Sequence, residues 1–400
     1  MIKKILTHPA TILGIATIIL FHTLAQPGVP HTHDGHNHLA RLANFYLAAK
    51  DFQIPPRWAP NLNYEFGYPV FNFNYYLAYL PGVFFYIITD SFEISIKLVT
   101  VLSVYMAAIF TWLFLKRYTS NAIAVLGAIL FITSPPYLLQ IFVRGNIGSV
   151  LGWAVFVFGL WTILKNQESR IPTTQKLHEA SKNQESLMSS HAGRQQPNLS
   201  SRTGVKRPDT GSLAIIKHVS SHPLLLSLST LLLILSHNII FLFGLPIWLL
   251  FIIFNTYTNQ NIKNKLFNIL HSTFFILLGI GLGSYFLIPA LLESQYITGT
   301  QNALAQFTLD HFVYLPQLFH SPWGYEFSRK GLDDGMSFML GYLHWTVLLM
   351  GIGYWVWSMK HQINNWRSGL FIQNSTIIFF LALFFFSLFF SSTYPFLFLF

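Results

Sequence analysis

The sequence predicts an all-α fold, a polytopic transmembrane helix bundle, and three observations carry that prediction. Hydrophobic residues make up 52% of the 400 residues and charged residues only 10%, where a soluble domain carries roughly a quarter. Mean hydropathy is +0.47. Several apolar runs reach the ~20 residues a helix needs to cross the hydrocarbon core. A single water-facing core is excluded by these numbers.

The basic balance narrows the partners. Net charge is +10, yet the Lys and Arg residues are scattered between apolar runs and build no continuous patch. Such charge marks cytoplasmic loops and anionic lipid contacts, so membrane lipids are expected partners and nucleic acid is not. There is no cysteine, which removes disulfides, thiolate metal sites and cysteine nucleophiles together and leaves the compartment open. The 39 phenylalanines suit lipid-facing and helix-packing surfaces.

Taken in chain order, Lys3 and Lys4 precede an apolar stretch at 9–25. No A-x-A cleavage site closes it, so it reads as an uncleaved anchor with its N-terminus in the cytoplasm. Residues 26–69 are polar and rich in His, Asn and Pro, and emerge on the outer side. Apolar runs follow at 70–89, 94–115, 122–142, 147–164, 223–236, 239–254, 266–292, 338–358 and 375–390. Counting each as a crossing puts Lys116, Arg117 and the basic stretch 165–221 outside, against the positive-inside tendency. Denying a crossing to 70–89 repairs every placement. That run holds Asn72, Asn74, three tyrosines and Pro81-Gly82, which suit an interfacial or re-entrant segment.

The expected layout has about nine spans in a multi-pass cell-membrane protein. Residues 1–165 form an N-terminal membrane module with an outer loop at 26–93. Residues 166–221, rich in Ser, Gln and Asn, form a disordered cytoplasmic loop. Residues 222–400 supply C-terminal membrane helices with an outer loop at 293–337. The chain stops inside the apolar run TYPFLFLF, so further helices are expected beyond it.

Four constellations carry candidate chemistry, all on the outer side of this layout. In HTHDGHNHLARLANFYLAAKDF (31–52), Leu39, Leu42, Tyr46 and Ala49 recur at helical spacing. A helix starting near Asp34 puts Asp34, His38 and Arg41 on one face, at i, i+4 and i+7. That face is a candidate general base with its partners; the same spacing also fits an Asp N-cap before a solvated helix. His31, His33 and His36 beside them are candidate ligands for a divalent cation, a use that needs further ligands. In IPPRWAPNLNYEFGYPVFNFNYYLAYLPG (54–82), Arg57, Trp58, Glu65 and Tyr68 are candidate substrate contacts, since aromatic rings stack on sugar faces as well as anchoring at headgroups.

Arg144, in FVRGNIGSVLGW, either snorkels from a helix end or holds a phosphate with its forked guanidinium. His237 and Asn238, between two spans, pose the same choice, and polar residues at such depth are functional candidates. In LFHSPWGYEFSRKGLDDGMSF (318–338), Trp323, Tyr325 and Arg329 stand between glycines in an ordered loop. Asp333-Asp334 there is either a cation ligand pair or simply solvated.

These motifs, DGHNHLARL, IPPRWAPNLNYEFGYPVFNFNYYLAYLPG, VRGNIG, LSHN at 235–238, YFLIPALLESQY and SPWGYEFSR…MSFMLGYLH, resemble a family of bacterial polytopic membrane proteins described as 6-pyruvoyl-tetrahydropterin synthase-related. The resemblance covers most of the chain outside 166–221. Nothing in it matches the zinc site of the soluble pterin enzyme. The layout is similar to that of the C-type membrane glycosyltransferases, which carry an acidic residue in the first outer loop, use a polyprenyl-phosphate sugar as donor, and place interfacial helices after the first span. This chain has the single Asp34 where many members show an acidic pair, and Ser149 where an acid is expected after RGNI.

The resemblance implies a glycosyltransferase of the cell envelope acting at the outer face. Asp34, with His38 and Arg41, would be catalytic. Arg144, His237 and Asn238 would hold the donor phosphate. The groove between 68–81 and the 318–338 loop would hold prenyl chain and sugar. A non-catalytic lipid or polysaccharide transporter is the alternative, marked by intramembrane charges or broken helices in paired halves; few charges lie within the spans and no paired halves are evident. A metal-handling protein built on the His31–His38 tract is a third reading.

Overall fold

The computed structural model describes residues 7–168, 222–259, 262, 264–297, 313–361 and 368–391. Among them every regular element is helical and no strand forms. The expected disordered loop lies, from 169 to 221, outside the described residues, as do Lys3, Lys4, 298–312 and the last nine residues.

The helices are α1 (Pro9–Leu20), α2 (Gly35–Lys50), α3 (Val70–Phe73), α4 (Tyr79–Thr89), α5 (Phe92–Leu115), α6 (Asn121–Ile132), α7 (Pro135–Phe142), α8 (Ile147–Glu168), α9 (His222–Ser236), α10 (Asn238–Thr258), α11 (Lys265–Glu293), α12 (Leu315–Phe319), α13 (Tyr342–His361) and α14 (Ser368–Ser391). Sequence sets their limits. Ser91 and Ser120 accept from Ile94 N and Ile123 N to open α5 and α6, and Asn264 accepts from Phe267 N to open α11. Each satisfies an amide that a helix start otherwise leaves bare. Pro135, at the first position of α7, cannot continue α6, and the two are bent by 46°.

Among the described residues four helices are long and apolar enough to cross a membrane: α5, α8 up to Gln167, α10, and α11 continuing to Tyr296. The bent α6–α7 pair makes a fifth if read as one broken span. Other expected runs come out shorter: Pro9–Leu20, Pro223–Ser236 and Ser375–Ser387 are apolar helices below spanning length. The run 70–89 is broken, as its polar and proline content implies. One turn at Val70–Phe73 is followed by extended backbone at Asn74 and the 11-residue α4, which spans roughly 16 Å at 1.5 Å per residue.

The core is a stack centred on α8, with α5 on one side and α9 and α10 on the other; α11 packs on α9, while α1 and α6 pack on α5. Trp248, Phe251, Leu226, Leu233 and Ile163 are fully buried there. The helices alternate in direction and so define two ends. The starts of α5 and α8 lie near Thr32 and Gly145, and the finish of α9 meets the segment before α4 through Leu77 N to Leu235 O. The finish of α11 lies beside Arg57 and Asn72. At the opposite end, the finishes of α5 and α8 meet the starts of α1 and α6, and the finish of α10 meets the start of α11. Phe254 stacks on Phe379, and Trp345 meets Phe384 edge-on, so α13 and α14 keep the alternation. The polar loops 26–79 and 313–341 all gather at the first end.

Candidate functional site

At that end the segment before α2 is tied to the segment before α8. His33 N donates to Val143 O (3.0 Å) and Asp34 N to Arg144 O (2.8 Å). The approach is close because Gly145, at φ +65°, has no side chain; a Cβ there would stand 2.1 Å from Thr32 Oγ1. Thr32 Oγ1 accepts from Gly35 N at 3.1 Å. It therefore opens α2, and the Asp34 side chain makes no cap hydrogen bond. The N-cap reading of the Asp34 carboxylate is corrected on this point: the position is the cap, but a neighbouring hydroxyl does the capping. Half-buried, Asp34 has neither a side-chain hydrogen bond nor an ion pair among the described residues.

His38, one turn on, is 1% exposed. Its Nδ1 lies 2.8 Å from the Tyr79 hydroxyl, which also feels the positive charge of Arg41. Burial first, then the positive Arg41 and neighbouring His237, push the His38 pKa down to about 3, so its imidazole is neutral. His237 opens α10, its Nδ1 accepting from Ile240 N; burial and then Arg144 lower its pKa to about 4. Tyr75 lies between the histidines, its ring stacked on His237 at 4.7 Å and tilted against His38 at 6.4 Å. Its hydroxyl donates to Asn146 Oδ1 (2.7 Å), which also accepts from Ser149 N (2.9 Å). Burial raises the Tyr75 hydroxyl to about 12 and pushes Tyr79 up too. Gly148 admits the Tyr75 ring against the first turn of α8; a Cβ there would fall 1.8 Å from Cε2.

The structure thus brings Asp34, His38, Arg41, Arg144 and His237 around one pair of tyrosines. Asn238 stands beside them in a structural part, donating from Nδ2 to Phe73 O at 3.0 Å. Two guanidiniums and one carboxylate stand over neutral rings and hydroxyls, and α2, α8 and α10 all begin there. Such an arrangement can accept a proton at Asp34 and hold an anion at Arg41, Arg144 and the helix starts.

The other expected contacts fall elsewhere. Arg57 donates to Asn72 Oδ1 and to Tyr285 O, both at 2.9 Å, and Asn72 Nδ2 donates to Glu293 Oε2 at 2.6 Å. With Trp58 and Tyr296 these line a separate open cleft of about 720 Å³. The segment 72–76 joins the two places, since Tyr76 and Tyr285 share a hydrogen bond. Glu65 and Tyr68 are not in either cleft: both are exposed in the loop closed by the Ala59–Tyr68 bridge, because residues 63–65 turn the backbone outward at positive φ.

The loop after α12 docks on the histidine tract. His33 Nε2 lies 2.9 Å from Tyr325 O and its ring stacks on Phe327 at 4.3 Å. Trp323 and Tyr325 are exposed and meet edge-on. Arg329 pairs with Glu326 at 2.7 Å, each two-thirds exposed, so this Arg faces solvent and its neighbour. Asp334 accepts from Gln317 Nε2 and Arg329 N, both at 2.6 Å, and is a loop fastener. Among the described residues no group of three or more His, Asp or Glu stands close enough to hold a metal. Of the weak metal candidates, His33 is engaged by the loop and His31 meets His36 edge-on at 6.2 Å.

The sequence does not mark Asn146 or Glu293 as members of a site, whereas Tyr75 and Tyr79 fall within the groove expected at 68–81. Asn146 carried a faint signal, as a polar residue two places from Arg144 in an apolar stretch. Compared with family models, with curated proteins and with solved structures, the chain matches none.

Proposed function

We propose that the chain is a membrane glycosyltransferase moving a sugar from a polyprenyl-phosphate donor to an acceptor hydroxyl. The observation that carries it is the carboxylate of Asp34, half-buried without a side-chain hydrogen bond or ion pair among the described residues, beside two guanidiniums at the mouth of an apolar bundle. The resemblance noted in the sequence supplies the donor class. Asp34 takes the acceptor proton as the acceptor oxygen bonds the anomeric carbon. The bond from that carbon to the phosphate oxygen breaks, and the electron pair leaves with the lipid phosphate. Arg144 and Arg41 hold the phosphate and stabilise the charge it gains, the contribution such sites depend on most. Neutral His38 and His237 keep Tyr75 and Tyr79 in place without adding charge.

The same reading carries a sidedness. Lys116, Arg117, Lys165 and Lys265 gather at the end opposite Asp34, as the positive-inside tendency favours for a cytoplasmic face. The site then faces outward, the N-terminus lies inside, and counting α6–α7 once and adding α13 to the shorter apolar helices α1, α9 and α14 gives nine crossings. The break between α6 and α7 lends some support to the transporter alternative, since broken helices line transport sites. The test is sugar transfer by purified Asp34→Asn from a polyprenyl-phosphate sugar. Loss of transfer with an unchanged melting profile supports the enzyme; retained transfer overturns it, and lipid movement without transfer by the unaltered chain selects the transporter.

A further inference from the structure

The cleft beside Arg57 lies outside the proposed chemistry and has its own pattern of charge. It holds about 720 Å³ of empty volume and carries one cation and one anion on its wall, Arg57 and Glu293. The two form no ion pair with each other among the described residues, because the buried Asn72 stands between them. Its carboxamide oxygen accepts from Arg57 Nη1 at 2.9 Å and its nitrogen donates to Glu293 Oε2 at 2.6 Å. Only that orientation of the amide satisfies both neighbours, since a guanidinium only donates and an ionised carboxylate only accepts. Asn72 is thereby used up as a spacer, while both charges keep capacity. Arg57 spends one donor on Asn72 and one on Tyr285 O, out of five. Glu293 Oε1 has no hydrogen bond among the described residues. Opposite charges held apart in one cleft suit a ligand that carries both signs. A phosphate matches the guanidinium fork, and an ammonium matches the open carboxylate oxygen.

Two further features place that zwitterion on a lipid. Trp58 and Tyr296 also line the cleft and are exposed; such rings belong at headgroup depth, one end apolar and one end wet. With its continuation to Tyr296, α11 has 32 residues, roughly 48 Å at 1.5 Å per residue. A span of that length exceeds the ~30 Å hydrocarbon core and reaches the headgroup layers at its ends. On its last turns Ile288, Leu291 and Leu292 are exposed, so an apolar surface leads from the hydrocarbon core up to Glu293. Acyl chains use such an approach, and a saccharide does not.

We infer that this cleft binds the headgroup of a zwitterionic phospholipid, its phosphate on Arg57 and its ammonium on Glu293, with its chains along the end of α11. The inference does not depend on the glycosyltransferase reading, because neither Asp34 nor the guanidiniums beside it take part.

The test is native mass spectrometry of the full chain in a polyoxyethylene detergent, titrated with phosphatidylethanolamine or with phosphatidylglycerol of the same acyl chains. Both lipids carry the phosphate, and only the first carries an ammonium. Phosphatidylethanolamine is expected to be retained at about fivefold lower concentration, the worth of one partly exposed ion pair. Glu293→Gln keeps an oxygen for Asn72 and should erase that preference, whereas Glu326→Gln, which also removes an acid from this end of the bundle, should keep it. Arg57→Gln should weaken retention of both lipids about fivefold. Where Arg57→Gln does not fold, Glu293→Gln carries the test alone. Equal retention of the two lipids by the unaltered chain, an unaltered preference in Glu293→Gln, or an equal loss in Glu326→Gln overturns the site. Displacement by millimolar phosphoethanolamine or methyl glucoside overturns the lipid assignment, the second in favour of a saccharide.

Discussion

The two ends of the bundle handle polar groups in opposite ways. At the far end Asn166, Gln167, Thr256, Asn268 and Ser272 are at most 1% exposed and bonded to one another. Gln167 Nε2 and Asn268 Nδ2 both donate to Thr256 Oγ1 at 2.9 Å, and Asn166 Nδ2 donates to Ser272 Oγ at 3.0 Å. These neutral partners close the backbone of the bundle between α8, α10 and α11. At the near end Asp34, Arg41 and Arg144 are charged and only half-buried, and Asp34 has no side-chain bond among the described residues. Neutral amides and hydroxyls bonded to one another hold helices together; an open set of charges stores unspent interactions for a ligand. Polarity inside an apolar bundle is therefore not one signal but two, separated by charge.

Changes at the two ends should separate in the same way. The largest effect is expected for Asp34→Asn, about 10³-fold in sugar transfer if the carboxylate is the general base, with little change in melting; a large melting change would make it a structural residue like those of the far end. Acid comes next. His38 and His237 have native pKa values near 3 and 4 against 6.5 for the unfolded chain. The unfolded chain binds their protons first as pH falls, so the stability they contribute is whole above about 6.5 and is lost progressively below it. Near pH 5 the loss is about 2 kcal/mol for His38 alone. Melting followed from pH 7.5 to 5 checks this, and a variant His38→Gln should flatten that slope. Thr256→Val, at the far end, leaves two buried amide donors short of an acceptor and should cost about 1–2 kcal/mol while transfer is retained. The smallest change belongs to Glu326→Gln, whose exposed pair with Arg329 is worth about 0.5 kcal/mol or less and should leave both melting and transfer unaltered.

Much of this division is legible in the sequence, but unevenly. The spacing of Leu39, Leu42, Tyr46 and Ala49 predicted the helix that carries Asp34, His38 and Arg41, and Arg144 and His237 stood out as polar residues between apolar runs. Asn72, Asn74 and Pro81-Gly82 predicted that 70–89 is no continuous span. Tyr75 and Tyr79 were not separable from headgroup anchors, because a tyrosine buried against a histidine and one at a lipid surface have the same sequence signature. The hydrogen-bond chain from Arg57 through Asn72 to Glu293 joins segments far apart along the chain, and no local pattern encodes such a meeting. Trp58 and Glu65, seven residues apart, looked like one constellation, yet the turn at 63–65 sends them to different surfaces.

The convergence of three helix starts at Tyr75 gives the near end an attraction that nothing in solution can switch off. Side-chain cations are lost by substitution and histidines change with acidity, but the amides opening α2, α8 and α10 carry their partial positive charge at every pH. An anion seated there is held partly by the architecture itself, so the pull persists for as long as the bundle stays folded.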